Sequence, residues 1–330
     1  MAGRGTRLRP HTLSTPKPLL PVAGKSIVQR LTEDIVELGK GSVDEIAFII
    51  GKDFGTAVES KLLSISDDLG AEGRIFYQEK PLGTAHAIWE AAECLEGETI
   101  IAFADTLFKA DFVLDRNADG VIWVKEVENP SSFGVVTIGK NGLINGMVEK
   151  PETFVSDLAI IGIYFMKDGR ALKEEIRYLL ENDIKGKGEY QLTDALENFR
   201  KKGAKLVPGK VKEWMDCGNK AAVLDTNNRV LSYDHAEGKK LISDKMQLRN
   251  SLIIPPCFIG DNVILENSVV GPFVSIGDNT NLHNCVISRS IVQSQSIMRN
   301  IVASDSLLGN HVKVENNPIV LDLGDYSNFS

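Results

Sequence analysis

Between residues 253 and 297 the chain reads "IIPPCFIGDNVILENSVVGPFVSIGDNTNLHNCVISRSIVQSQSI", with aliphatic side chains at 259, 265, 270, 276, 282 and 287 and the unit Ile-Gly-Asp-Asn at 259–262 and again at 276–279. Steps of five or six match neither the two-residue period of a half-buried strand nor the 3.6-residue turn of a helix. One coil of such a repeat cannot bury its own aliphatic row, so successive coils must stack, and the segment is expected to form a solenoid. A β-sandwich with regular turns is the competing architecture, but it leaves the duplicated Ile-Gly-Asp-Asn units unexplained.

The texture before the repeat is different. "SIVQRLTEDIVELG", "GTAVESKLLSISDDLG" and "GTAHAIWEAAECLEG" have helical spacing with glycine stops, and they alternate with the short β-rich runs "EIAFIIG", "GRIFYQ" and "TIIAFAD". After "DGVIWVKEV", "FGVVTIGKNGLINGMVEK" and "LAIIGIYFM", helical patterns return at "GRALKEEIRYLLEND" and "YQLTDALENFRKKG". This rhythm predicts a doubly wound, Rossmann-like α/β sheet with a mixed extension over residues 1–232. Residues 233–252, mixed and charged, are expected to connect it to the repeat domain at 253–330. A chain of 330 residues is long enough for two such unequal domains.

A net charge of −8 excludes a surface built for nucleic-acid backbones or anionic membranes, which want a basic field. The charge is unevenly spread, because six Lys or Arg residues precede Glu33, the first acidic residue. An anion site, if present, is therefore expected near the N-terminus. The four cysteines, at 94, 217, 257 and 285, show no metal-ligand spacing and no secretory signal precedes them, so they are expected to be reduced thiols of a cytoplasmic protein. No apolar run approaches the roughly 18 residues needed to span a bilayer.

The basic stretch is "GRGTRLRPHTLSTPKPLLPVAGKS" at 3–26. A dinucleotide fingerprint fails here, since Gly3 and Gly5 are followed by Leu8 and position 25 is Lys. A P-loop fails too, since Leu19 stands where "GKS" would need its first glycine. Taken whole, the stretch is expected to be a phosphate cradle. Gly3 and Gly5 allow backbone N–H groups to approach phosphate oxygens, Thr6 adds a hydroxyl, and Arg7 supplies a planar fork. Lys17, between Pro16 and Pro18, has a restricted backbone that holds its ammonium in place.

These residues resemble the signature of the sugar-1-phosphate nucleotidyltransferases, or sugar-nucleotide pyrophosphorylases, whose pattern is G-x-G-T-R followed by P-K-P-x-x-P. The likeness points toward the thymidylyl- and uridylyltransferases, and it extends along the chain, since several members carry a C-terminal left-handed parallel β-helix of hexapeptide repeats. In-line displacement at the α-phosphorus requires positioning and charge neutralisation, for which carboxylates at strand ends are sought. Asp105 follows "TIIAFA" and Asp216 precedes a Cys-Gly turn; the resemblance implies that these two hold Mg²⁺. It also implies that Gln78 and Gly83 of "YQEKPLGTAHAIWEA" read the base. On the sugar side, the resemblance gives Gly134 to the hexose, Glu149 to its hydroxyls and Lys150 to its phosphate. Asp157 stands where the family often has Asn, which bears on the sugar.

The implied partners are an NTP, dTTP or UTP favoured, and a hexose 1-phosphate, glucose 1-phosphate favoured. The β-helix is expected to serve homo-oligomerisation. A guanylyltransferase for mannose 1-phosphate, a bifunctional nucleotidyl and acyl transferase, and a non-catalytic regulatory subunit are the competing expectations. His283 and His311 form no evident acyl-donor site, and Arg7, Lys17, Asp105, Lys150 and Asp216 together argue against a non-catalytic role. A cradle of this kind hangs from a strand, so Met1 is expected to be an internal methionine preceded by a short apolar strand.

Overall fold

The strand Leu158–Met166 organises the catalytic half, and its sequence, LAIIGIYFM, is the continuous apolar run expected of a strand covered on both faces. One edge pairs antiparallel with Gly120–Glu126, which in turn pairs in parallel with Leu206–Lys210. The other edge is divided: Ile163–Met166 pair antiparallel with Thr99–Ala102, while Ala159 pairs with Val135 of the strand Gly134–Ile138. Beyond that strand lies Ile144–Glu149, giving a six-stranded mixed sheet. A separate parallel pair, Glu45–Ile50 and Glu72–Tyr77, is joined by the helix Thr56–Asp68. Thr106–Lys109 and Glu213–Asp216 form a further antiparallel ladder.

The structure, a computed structural model, describes residues 5–38, 43–110, 115 and 117–317. It divides into two compact units, Met1–Leu20 with Ser26–Gly218, and Pro21–Lys25 with Asn219–Ser330. In the first unit, Ile122, Val124, Tyr164 and Met166 of the sheet pack on Leu172 and Ile176 of the helix Gly169–Glu181 and on Leu192 and Leu196 of the helix Leu192–Lys201. A second cluster joins Phe48, Ile50, Leu62 and Ile65 to Val28 of the helix Ile27–Leu38. Burying each such aliphatic or aromatic side chain contributes about 1.5–3 kcal/mol. The expected mixed α/β architecture is therefore present.

The second unit is a parallel β-solenoid of about four turns. Gln247, Ile264, Asn281, Ile297 and Lys313 stand in register on one side, so each coil takes 16 or 17 residues, three sides of five or six. All six aliphatic residues of the repeat, Ile259, Leu265, Val270, Ile276, Leu282 and Ile287, are buried. The Ile-Gly-Asp-Asn units turn one corner of the coil: Asn262 and Asn279 both adopt left-handed backbone, with φ of 56°. Asn is among the few side chains that tolerate that conformation, which is why the unit recurs. The corner is cross-linked, because Asp261 N–H donates to Asp278 Oδ1 (2.7 Å) and Asn262 Nδ2 to Asn279 Oδ1 (3.2 Å). His311 occupies a left-handed corner of the same kind (φ 58°).

The helix Lys220–Ala236 belongs to this unit, capped by Asn219, whose side chain accepts from Ala222 N–H at 3.0 Å. Its buried Asn227 accepts from Ala23 N–H (2.9 Å) and from the Ser275 hydroxyl (2.7 Å), tying the segment Pro21–Lys25, the helix and the solenoid together. No helix among the described residues is long and apolar enough to cross a membrane.

Candidate functional site

The site gathers where the divided edge of Leu158–Met166 changes partner. Phe103 N–H donates to Gly162 O at 2.9 Å, continuing the Thr99–Ala102 ladder by one rung; the chain then turns through Asp105 into Thr106–Lys109. A short distance back along the same edge, Gly134 begins its strand. Gly162 has φ of 82°, and a Cβ there would stand 2.8 Å from the Phe103 ring, so glycine permits this close turn. The register against Gly120–Glu126 also shifts between Ile160 and Tyr164, a bulge that bends the strand at the same point. The edge partner of the strand changes there, the kind of switch beside which open α/β sheets bind ligands.

Asp105 and Asp216 come together at one end of a ladder. Asp216 stands opposite Thr106, and Cys217 N–H donates to Asp105 O at 3.1 Å. A Cβ on Gly218 would lie 2.7 Å from Asp216 Oδ2, so the glycine leaves that carboxylate its room. Asp105 Oδ2 accepts from Lys17 Nζ at 2.8 Å, a contact between residues 88 positions apart. Two carboxylates without a nitrogen or sulfur donor suit a hard, oxygen-ligated cation that keeps waters or phosphate oxygens as its remaining ligands, so the residues present fit Mg²⁺. Among the described residues no cluster of three or more His, Cys, Asp or Glu could hold a metal ion.

Gly3 lies outside the described residues. Gly5 has left-handed backbone (φ 58°, ψ 42°), and a Cβ on it would sit 3.0 Å from Lys17 Cβ and 3.2 Å from Thr12 Cγ2. Its carbonyl accepts from the Thr12 hydroxyl at 2.8 Å. The loop therefore folds onto the Pro16-Lys17-Pro18 segment, with Leu8 buried beneath and Thr6 and Arg7 exposed. The sequence gives no signal for Thr12, a threonine inside a polar run.

Gln78 is buried, and its Nε2 donates to Gly83 O at 3.1 Å and lies 3.2 Å from His86 Nδ1. The Gly83 carbonyl fixes which end of the amide is the donor. His86 Nε2 lies 3.5 Å from Glu90 Oε1, in keeping with a helix residue that is satisfied locally. Gly83, with φ of 120°, packs against the backbone of Tyr190, where a Cβ would lie 2.4 Å from the carbonyl oxygen.

Gly134 and Glu149 are register partners. Glu149 Oε2 accepts from the Thr193 hydroxyl at 2.8 Å, and a Cβ on Gly134 would stand 2.8 Å from that same oxygen. Thr193, in the first turn of its helix, thus holds one oxygen of Glu149, a contact that the sequence alone did not reveal. Burial, and then the Glu149 charge, push the neighbouring Asp194 carboxyl above its ordinary range. Lys150 has φ of 44° and a half-exposed side chain whose Nζ lies 3.7 Å from Glu149 Oε1. Asp157 lies just before the strand Leu158–Met166. It is exposed, its carbonyl accepts from Val127 and Ala159 N–H, and it precedes Gly162 by five residues, roughly 15 Å of strand.

None of the four cysteines is in a disulfide, and they are unsuited to nucleophilic work. Cys217 is fully buried, and burial together with the Glu45 acceptor pushes the Cys94 thiol up to about 12.

Comparison with known proteins identifies the family. The family described as nucleotidyl transferase matches residues 1–233. A bifunctional protein GlmU from Methanococcus maripaludis is 32% identical over 77% of this chain, which spans only 58% of that relative's length. A glucose-1-phosphate thymidylyltransferase from Streptomyces griseus is 28% identical over 98% of this chain and 96% of its own. Among solved structures, a Bacillus anthracis protein carrying the name glucose-1-phosphate thymidylyltransferase, in complex with a sucrose, superposes with a TM-score of 0.57 over 68% of this chain and 91% of its own, at 24% identity, a likeness of fold. The loop, the paired carboxylates and the match over residues 1–233 lead to one conclusion: this chain belongs to the nucleotidyl transferase family.

Proposed function

We propose that the protein joins a nucleoside triphosphate to a hexose 1-phosphate, forming an NDP-hexose and releasing pyrophosphate, with dTTP or UTP and glucose 1-phosphate as favoured substrates. The observation that carries this reading is the convergence of Asp105, Asp216 and Lys17 beside the strand that starts at Gly134. In the reaction a phosphate oxygen of the sugar phosphate attacks the α-phosphorus, the bond from that phosphorus to the β-bridging oxygen breaks, and pyrophosphate leaves. Arg7 and Lys17 receive the charge of the triphosphate and of the leaving group. Mg²⁺, held by Asp105 and Asp216, supplies further charge neutralisation when bound. Glu149, oriented by Thr193, accepts from the hexose hydroxyls, and Lys150 meets the sugar phosphate.

Support for the base preference comes from Gln78. With its amide nitrogen engaged by Gly83 and His86, its carbonyl oxygen is the group left to meet a base. An acceptor suits the ring N–H of thymine and uracil, whereas cytosine presents an acceptor at that ring position. Guanine also carries a ring N–H, so a guanylyltransferase is the second reading that this observation allows. Catalysis is assigned to residues 1–232 of a cytoplasmic enzyme, with the solenoid that begins at Gln247 serving homo-oligomerisation.

The test is pyrophosphate release with each of four NTPs against glucose, mannose, galactose and N-acetylglucosamine 1-phosphates. Release with dTTP or UTP and glucose 1-phosphate is expected, abolished by Asp105→Asn with the fold intact. No Mg²⁺-dependent release from any pair would refute the reading.

A further inference from the structure

We propose that in the substrate-free protein the Lys17 ammonium serves as the counter-ion of Asp105 and keeps that carboxylate from a divalent cation, so that cation loading follows the arrival of phosphate groups that draw Lys17 away. The proposal rests on the nucleotidyl-transfer reading above, and it adds an order of events to it.

The ion pair is close and partly shielded. Lys17 Nζ lies 2.8 Å from Asp105 Oδ2, with the lysine side chain 10% and the aspartate side chain 47% exposed. A charge-assisted contact of this kind is stronger than a neutral hydrogen bond and stronger again where water is partly excluded. It cancels most of the charge that Asp105 would offer a cation.

The contact is also held in place from the backbone. Pro16 (φ −55°) and Pro18 flank Lys17, whose carbonyl accepts from Leu20 N–H at 3.0 Å. Gly5 presses within 3.0 Å of the Lys17 Cβ, measured from the position of a Cβ on the glycine. The stem is thereby anchored, and rotation about the distal carbons is the freedom that remains. An ammonium has three donors and Asp105 takes one of them, so phosphate oxygens can begin to bind Lys17 before Asp105 is released. A triphosphate carries more charge than one carboxylate, which drives the exchange toward the nucleotide.

The experiment titrates Mn²⁺ into the full chain without nucleotide and reads free Mn²⁺ by electron paramagnetic resonance. Lys17→Met is expected to tighten Mn²⁺ binding by roughly 10- to 100-fold, the span a charge-assisted hydrogen bond commands. Adding Asp105→Asn should abolish that gain. Lys109→Met, on the strand that follows Asp105, removes the same charge without this contact and should change affinity less than about twofold. Should Lys17→Met fail to fold, Lys17→Gln replaces it. Unchanged affinity in the Lys17 variant, an equal gain in the Lys109 variant, or a gain that survives Asp105→Asn each overturns the proposal. Wild-type pyrophosphate release, assayed in parallel, separates this outcome from the fate of the transferase reading.

Discussion

Gly83→Ala should destabilise the catalytic unit severely, for reasons that lie in the Tyr190 backbone. The φ of 120° at Gly83 is a conformation that L side chains rarely adopt, and a Cβ there would lie 2.4 Å from Tyr190 O and 2.6 Å from Tyr190 N. Neither atom can retreat freely, since Tyr190 N–H donates to Leu82 O (2.8 Å) and Ala85 N–H donates to Tyr190 O (2.9 Å). Backbone strain costs about 1–3 kcal/mol, and overpacking against a fixed neighbour costs about 1–3 kcal/mol more. A total of about 2–6 kcal/mol corresponds to a fall in melting temperature of roughly 5–20 °C for a unit of this size. The control is Gly97→Ala, where φ is also positive (67°) but nothing stands within 4 Å of the added methyl; strain alone there should cost about 1 kcal/mol. Calorimetry that resolves the two units separately is the assay, because a chain with two compact units need not unfold in one step. If Gly83→Ala melted within 2 °C of Gly97→Ala, the close approach to Tyr190 would be ruled out. The same variant displaces the carbonyl that orients Gln78, so discrimination between dTTP and dCTP should weaken in any fraction that stays folded.

Three further outcomes are expected. Lys150→Ala should raise the KM for the sugar phosphate by roughly tenfold, the loss of one charge-assisted contact; a rise confined to the KM for the NTP, read from initial rates, would show the residue to be misassigned. Asp194→Asn should raise the melting temperature of the catalytic unit at pH 7. Burial and Glu149 raise the folded-state pKa of Asp194, so its ionisation opposes folding once the pH rises through the ordinary aspartate range toward that raised value. The gain should vanish below about pH 3, where the wild-type carboxyl is protonated in both states; a gain independent of pH would point to packing instead. Asn227→Ala leaves the Ala23 amide and the Ser275 hydroxyl without their buried acceptor and should cost the solenoid unit about 2–4 kcal/mol. Amide exchange at Ala23 checks this, and unaltered protection there would argue against the three-way tie.

Features with a local cause were legible from the sequence. The solenoid was one, because each coil repeats the same demand: an aliphatic side chain inward and a corner that asparagine can turn. Helices such as Ile27–Leu38 and Gly169–Glu181 and the apolar strand Leu158–Met166 were others, since periodicity alone specifies which face is buried. The loop ending in Pro16-Lys17-Pro18 was legible as a rigid basic segment. What the loop's lysine touches was not, because Asp105 lies 88 positions away and strand register, set by packing across the whole sheet, brings them together. The division of one strand edge at Gly162, the Thr193 clamp on Glu149 and the orientation of the Gln78 amide have the same origin. The sequence by itself determined which residues could do phosphate chemistry and what scaffolds would carry them. Tertiary structure alone decided which of them meet, since a side chain's partner depends on pairing between distant segments that no local pattern records.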